Sequence, residues 1–173
     1  PEEFASYIDN TYEVQIRTIF SEGWHEVEHD LRYKCHEDWA GCESYSRALN
    51  GIIATLETAE WNMKAIFATM ARDNFRHSNY TAMLRNKFHL KFKSEALSDG
   101  MTDFLRENLH LAEAVLNADR LIVVYTLLTH EADFNLTYDN LLFLINRIEM
   151  MDPDLMAMEP EDTKLMIDSF LNS

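Results

Sequence analysis

The chain begins on one hydrophobic rhythm and continues mostly on another. From Tyr12 to Thr18 apolar and polar residues alternate, with Tyr12, Val14 and Ile16 on one side and Glu13, Gln15 and Arg17 on the other. A period of two carried by aromatic and β-branched residues predicts a strand. One strand cannot satisfy its own backbone, so this one requires partners, either further strands of a sheet or strands of another copy. After it the period becomes helical. Ser21 is placed to cap a helix running to about Lys34, with Trp24, Val27 and Leu31 on one face. Asp38 to Glu43, holding Gly41, breaks the pattern. Ser44 to about Arg72 is the longest helix. Along it Leu49, Ile52, Leu56, Ala59, Met63, Ile66 and Met70 recur at alternating spacings of three and four, a heptad seam. Ile53 and Phe67 widen the stripe, which favours packing in a bundle. A subunit interface is the alternative use of the same seam.

Shorter helices follow. Asn79 to Lys87 is one. Phe88, Leu90 and Phe92 then alternate with His89, Lys91 and Lys93, as a short strand or an extended linker. Ser98 or Thr102 can cap a helix reaching Leu116. Asp119 to Thr129 is apolar nearly all round, which predicts a buried segment, and its neighbours favour helix over strand. Thr137 can cap Tyr138 to Met150, Pro153 stops that helix, and Pro160 opens a last one at its first position. Helices joined by short turns predict an α-bundle.

Composition sharpens this picture. The chain has 173 residues, 47% hydrophobic, with only 4 Gly and 3 Pro, too few for a turn-rich all-β fold. Lys+Arg 15 against Asp+Glu 30 gives a net charge of −15. That balance argues against a general nucleic-acid binder and against adhesion to anionic membrane. The longest strongly apolar run, Leu121 to Leu128, is far short of the roughly 20 residues that span a bilayer. Two cysteines suit a reducing, cytoplasmic setting. Residue 1 is Pro, which raises the expectation that a longer gene product precedes it.

Two constellations could carry chemistry. On the strand, Glu13, Gln15 and Arg17 stand roughly 6.6 Å apart along one face. A carboxylate there can hold Mg²⁺ or accept a proton, and a guanidinium can clamp phosphate. The plainer reading is the solvated face of a half-buried strand. The second is His25-Glu26-Val27-Glu28-His29, which matches the H-E-x-x-H of zinc peptidases. No third ligand is evident, and Cys35 and Cys42 lack a usual zinc spacing. His77, His89, His110 and His130 are scattered, and the Met150–Met158 region is read as packing beside a turn.

Glu13-Val14-Gln15-Ile16-Arg17-Thr18, then Trp24, Glu28-His29 and Tyr33-Lys34, resemble the synthetase domain of the RelA/SpoT family, most closely the small alarmone synthetases. The resemblance spans about residues 12–34. Its register uses Trp24, Glu28 and His29 without requiring His25, so it replaces the zinc reading. It implies a (p)ppGpp synthetase of the stringent response, a GTP pyrophosphokinase that moves the β,γ-diphosphate of ATP to the 3′-hydroxyl of GDP or GTP with Mg²⁺. Glu13 would be the catalytic Glu, holding Mg²⁺ and activating the hydroxyl. Gln15 and Arg17 would line the cleft floor, and His29 and Lys34 would orient the strand or reach phosphates. His25 stands where the family usually has a small residue near the acceptor base, which opens the acceptor identity.

The architecture this implies is mainly α: the C-terminal strand and helix of a nucleotidyltransferase-like α/β synthetase domain in residues 1–43, then an α-helical regulatory or oligomerisation bundle in residues 44–173. The family's basic phosphate-binding segment, metal-binding Asp and base-stacking Tyr precede the Glu strand, and here only the eleven residues Pro1 to Thr11 stand before it. The chain alone is therefore expected to be inactive. Expected partners are ATP, GDP or GTP and further copies in a homo-oligomer, with no membrane and no nucleic acid. One alternative is a toxin-type relative acting on adenine nucleotides or the tRNA 3′ end, for which Arg85, Lys87, Lys91 and Lys93 form the only basic cluster. The other is a non-catalytic helical interaction module.

Overall fold

The computed structural model describes residues 18–130 and 134–173. These are mainly helical, and no strand occurs among them. The strand expected over Tyr12 to Thr18 lies outside the described residues except for Thr18. Two compact units are present, one ending at Lys64 and the other running Ala65–Ser173.

In the first unit, α1 (Ile19–Val27) continues into a π-helical stretch over Glu28–Tyr33. The predicted helix thus reaches Lys34, but its cap is Thr18 rather than Ser21. The Thr18 hydroxyl accepts from the Ser21 N–H at 3.2 Å, and the Ser21 hydroxyl accepts from the Thr18 N–H at 2.8 Å. This reciprocal box satisfies two N–H groups that a Ser21 cap would leave inside the preceding turn. Thr18 has φ −86° and ψ 164°, so the backbone enters α1 extended. A 3₁₀ turn over His36–Trp39 and Gly41 at φ +78° make the predicted break. α2 (Glu43–Arg76) follows, a little longer than its heptad seam. In this unit the seam is only partly covered. Leu49 and Leu56 are half-buried, and Ile52 is exposed.

The second unit has a true core. α3 (Tyr80–Phe88) is capped by Asn79 and ends at His89 in the left-handed region, φ 53°. The following residues form the linker, not the strand: Lys93 N–H donates to Leu136 C=O at 2.9 Å, and Phe92 stacks on Tyr138. The single helix expected from Ser98 to Leu116 is two, α4 (Asp99–Glu107, capped by Ser98) and α5 (Leu109–Asn117). Asn108 separates them: its backbone (φ −117°, ψ 64°) leaves the helical region, and its backbone N–H and side-chain amide both donate to the Phe104 C=O, at 2.9 and 3.0 Å.

α6 (Arg120–Thr129) is a helix, as expected, but it is not buried all round. Val123 and Thr126 enter the core while Leu121, Ile122, Tyr125 and Leu128 are exposed. The central place belongs to α7 (Tyr138–Ile145), capped by Thr137 and buried at every residue but Asp139. A π turn carries it to Met150. Met151, left-handed at φ 54°, ends it, and Pro153 begins α8 (Pro153–Met158) rather than merely stopping the helix before it. Pro160 is the cap of α9 (Glu161–Leu171), one residue before the first position.

Candidate functional site

Glu13, Gln15 and Arg17 lie outside the described residues, and so does the Mg²⁺ site expected at Glu13. Of the remaining site residues, His25 stands on α1, His29 on its π continuation and Lys34 at the end of that stretch. A π turn inserts one residue into the helical repeat and is often found at functional positions. Here Lys34 N–H donates to His29 C=O at 3.0 Å, closing the wider turn.

The π stretch gathers three rings on one face. The His25 and His29 rings stack at 5.5 Å between centroids and 20° between planes. The His29 and Tyr33 rings stack at 5.9 Å and 14°. Asp30 ties the polar groups together. Its Oδ1 lies 3.0 Å from His29 Nδ1 and accepts from Lys34 Nζ at 2.7 Å. The Lys34 ammonium, then His29, hold the Asp30 carboxyl below its usual range, and Asp30 holds Lys34 above the usual amine range. Both stay charged across neutral pH. Because Asp30 occupies His29 Nδ1, Nε2 is the ring nitrogen left to face a ligand.

Glu28 is held on the other side. Arg32 Nε donates to Glu28 Oε1 at 2.8 Å, and Arg32 Nη1 donates to Asn50 Oδ1 at 2.9 Å. Glu28 Oε2 is buried without a hydrogen-bond partner, so this carboxylate keeps one acceptor unused. Sequence reasoning did not include Asp30, although an acid four residues before a lysine on a helix is the spacing of an ion pair. Tyr33, quoted in the resemblance but not as a site residue, joins the ladder by its four-residue spacing from His29.

The histidine pair at H-E-x-x-H spacing has no third ligand beside it: among the described residues no three His, Cys, Asp or Glu form a group that could hold a metal. No described carboxylate is therefore assigned to Mg²⁺ alongside Glu13. Cys35 and Cys42 are free thiols. No helix among the described residues is long and apolar enough to cross a membrane. The basic stretch is divided by its own contacts. Arg85 Nε donates to the Tyr138 hydroxyl at 3.0 Å, while desolvation holds Lys87 below the usual amine range. Comparison with protein-family models, curated proteins and solved structures finds no match for this chain.

Proposed function

We propose that this chain carries the catalytic strand of a RelA/SpoT-type nucleotide pyrophosphokinase, with Glu13 as catalytic residue. The strand would close a nucleotidyltransferase-like sheet, and the later helices would form a regulatory or oligomerisation module. One observation carries the reading: the run Glu13 to Thr18 is followed by Trp24, Glu28, His29, Tyr33 and Lys34 at the family's separation. The local geometry after it is compatible. Thr18, the last residue of the strand motif, caps α1 from an extended backbone, and His29 and Lys34 share Asp30 on one helical face.

The chemistry needs little more than positioning and charge neutralisation. The 3′-oxygen of the acceptor attacks the β-phosphorus of ATP, AMP leaves, and Glu13 takes the hydroxyl proton. Lys34, charged at neutral pH, suits phosphate; His29 Nε2 can donate to a phosphate oxygen or accept from a ribose hydroxyl. His25 stacked on His29 bears on acceptor choice. The test is chromatography of nucleotide products from the full-length protein given ATP with GDP, GTP, ATP or tRNA. Glu13→Gln is expected to reduce diphosphate transfer at least ~100-fold, the scale of general-base loss, without changing the melting temperature. Transfer that survives this change rules out Glu13 as catalytic residue.

A further inference from the structure

The unit Ala65–Ser173 carries an open cleft of about 590 Å³ where three helices begin. Ser98 and Gly100 come from the start of α4, Thr137 from the start of α7, and Pro160 and Thr163 from the start of α9. None of the described residues lining it is a Lys, Arg or His. Asn140 also lines it and is only 9% exposed. Its Nδ2 donates to Asn135 C=O at 2.8 Å, while its Oδ1 meets no donor among the described residues. A buried amide oxygen in that position needs a donor from outside the chain. Asp139, beside it, accepts the Ser98 N–H on Oδ1 at 3.0 Å and has no partner for Oδ2 among the described residues. Donors stand near these acceptors. The Ser98 and Thr137 hydroxyls accept the Met101 and Asn140 N–H groups at 3.3 and 3.1 Å. Neither donates to an acceptor among the described residues, so each keeps its hydrogen for a ligand. α9 has no side-chain cap, and the N–H groups of Glu161, Asp162 and Thr163 likewise lack acceptors among the described residues.

We propose that this cleft binds a neutral sugar ring, whose hydroxyls donate to Asn140 and Asp139 and accept from Ser98, Thr137 and the start of α9. A hydroxyl is donor and acceptor at once, so one ligand class answers both sets of unpaired groups. A phosphate or carboxylate brings acceptors only. It would leave Asn140 Oδ1 unmet, find no cation and face the Asp139 carboxylate. A cationic ligand would leave the hydroxyls and N–H groups without an acceptor. The C–H face of a sugar ring can rest on Met158 and Pro160, apolar residues of the same cleft. The volume falls in the range of small-molecule sites, about 300–1,000 Å³. Gly100 keeps the mouth clear, since nothing lies within 4 Å of where a Cβ would stand there. The inference does not rest on the pyrophosphokinase reading, whose residues, 13–34, precede this unit in the chain.

The test is an amide NMR titration of the full 173-residue chain with D-glucose, D-galactose and D-mannose. At least one is expected to shift the Gly100, Asn140 and Thr163 amides saturably, with a dissociation constant on the order of 1 mM, the scale for so small a neutral ligand. Cyclohexanol, a ring of similar size with a single hydroxyl, is expected to bind at least about tenfold more weakly, because it leaves most of the unpaired groups unmet. Gly100→Leu places a side chain in the cleft and is expected to weaken sugar binding at least about tenfold. It should not lower the melting temperature, because leucine favours a helix more than glycine does. No saturable shift with any of the three sugars overturns the proposal. Inorganic phosphate that shifts the same amides at lower concentration than the best sugar also overturns it, by making the cleft an anion site. Cyclohexanol binding as tightly as the sugars overturns it by making the cleft an apolar slot. Sugar binding undiminished by Gly100→Leu places the ligand elsewhere and overturns it too. None of these readouts depends on nucleotide transfer, so the result stands apart from the activity assay.

Discussion

Arg147 shows what a single residue holds in place. Its guanidinium donates to Glu159 Oε2 at 3.1 and 2.9 Å and approaches Asp168 at 3.4 Å. The Glu159 side chain is 2% exposed, and its second oxygen has no partner. Arg147→Ala would strand a buried carboxylate, so unfolding in urea is expected to show a loss of about 3–5 kcal/mol. Arg147→Ala combined with Glu159→Leu should recover much of it. His89 gives the pH dependence. Partial desolvation, then the nearby Arg120, holds its imidazole below the ordinary value, while the Phe67 ring meets it edge-on at 4.7 Å. A base whose folded value is lowered binds protons more readily when unfolded, so stability rises with pH through that window and falls below about pH 6.5. The melting temperature is expected to drop between about pH 7 and 5.5, less steeply in His89→Asn. Asparagine tolerates the left-handed backbone at this position without titrating. Equal slopes in both proteins would remove His89 from the account.

At the scale of elements, caps were more legible than lengths. Thr18, Asn79, Ser98, Asp119, Thr137 and Asp152 each accept a first-turn N–H, and most are the Ser, Thr, Asn or Asp nearest a change of period. Ser21 was the natural choice at α1 because it stands before the apolar stripe. The actual cap is three residues earlier, where Ser21 can serve as its reciprocal partner. Thr18 also donates to Glu60 on α2 at 3.1 Å. Thr18→Ala is therefore expected to lower unfolding free energy by about 1–2 kcal/mol, measured by chemical denaturation, with Ser21→Ala milder. The break at Asn108 was not legible, because Leu105, Leu109, Ala112 and Leu116 stay in register across it. The break is in the Asn108 backbone, which leaves the helical region at φ −117° and ψ 64°.

Across the whole molecule, burial is uneven. Residues 18–64 have none buried, whereas α7 in the other unit is buried almost throughout. Amides in α7 are therefore expected to exchange with solvent slowest, near the rate of global unfolding, and those of α1 orders of magnitude faster by local opening. Hydrogen exchange read by mass spectrometry checks this; equal protection of α1 and α7 would contradict it. The candidate site shares the sparsely packed unit, and its motif residues were readable because their chemistry and spacing stand in the sequence. The Asp30 linkage of His29 and Lys34 needed the side chains in place.

The sequence by itself determined the helical class after Thr18, most of the helix positions and the motif-bearing residues, since period, capping chemistry and spacing are local properties. It could not rank the two apolar helices. Leu121 to Leu128 is as apolar as α7, yet only α7 is enclosed. Hydropathy records what a side chain gains on leaving water, not which neighbours are there to remove it from water. Tertiary structure alone decided that contest, the division of the Ser98–Leu116 helix and the left-handed ends at His89 and Met151. Each depends on contacts or backbone geometry that no local pattern specifies.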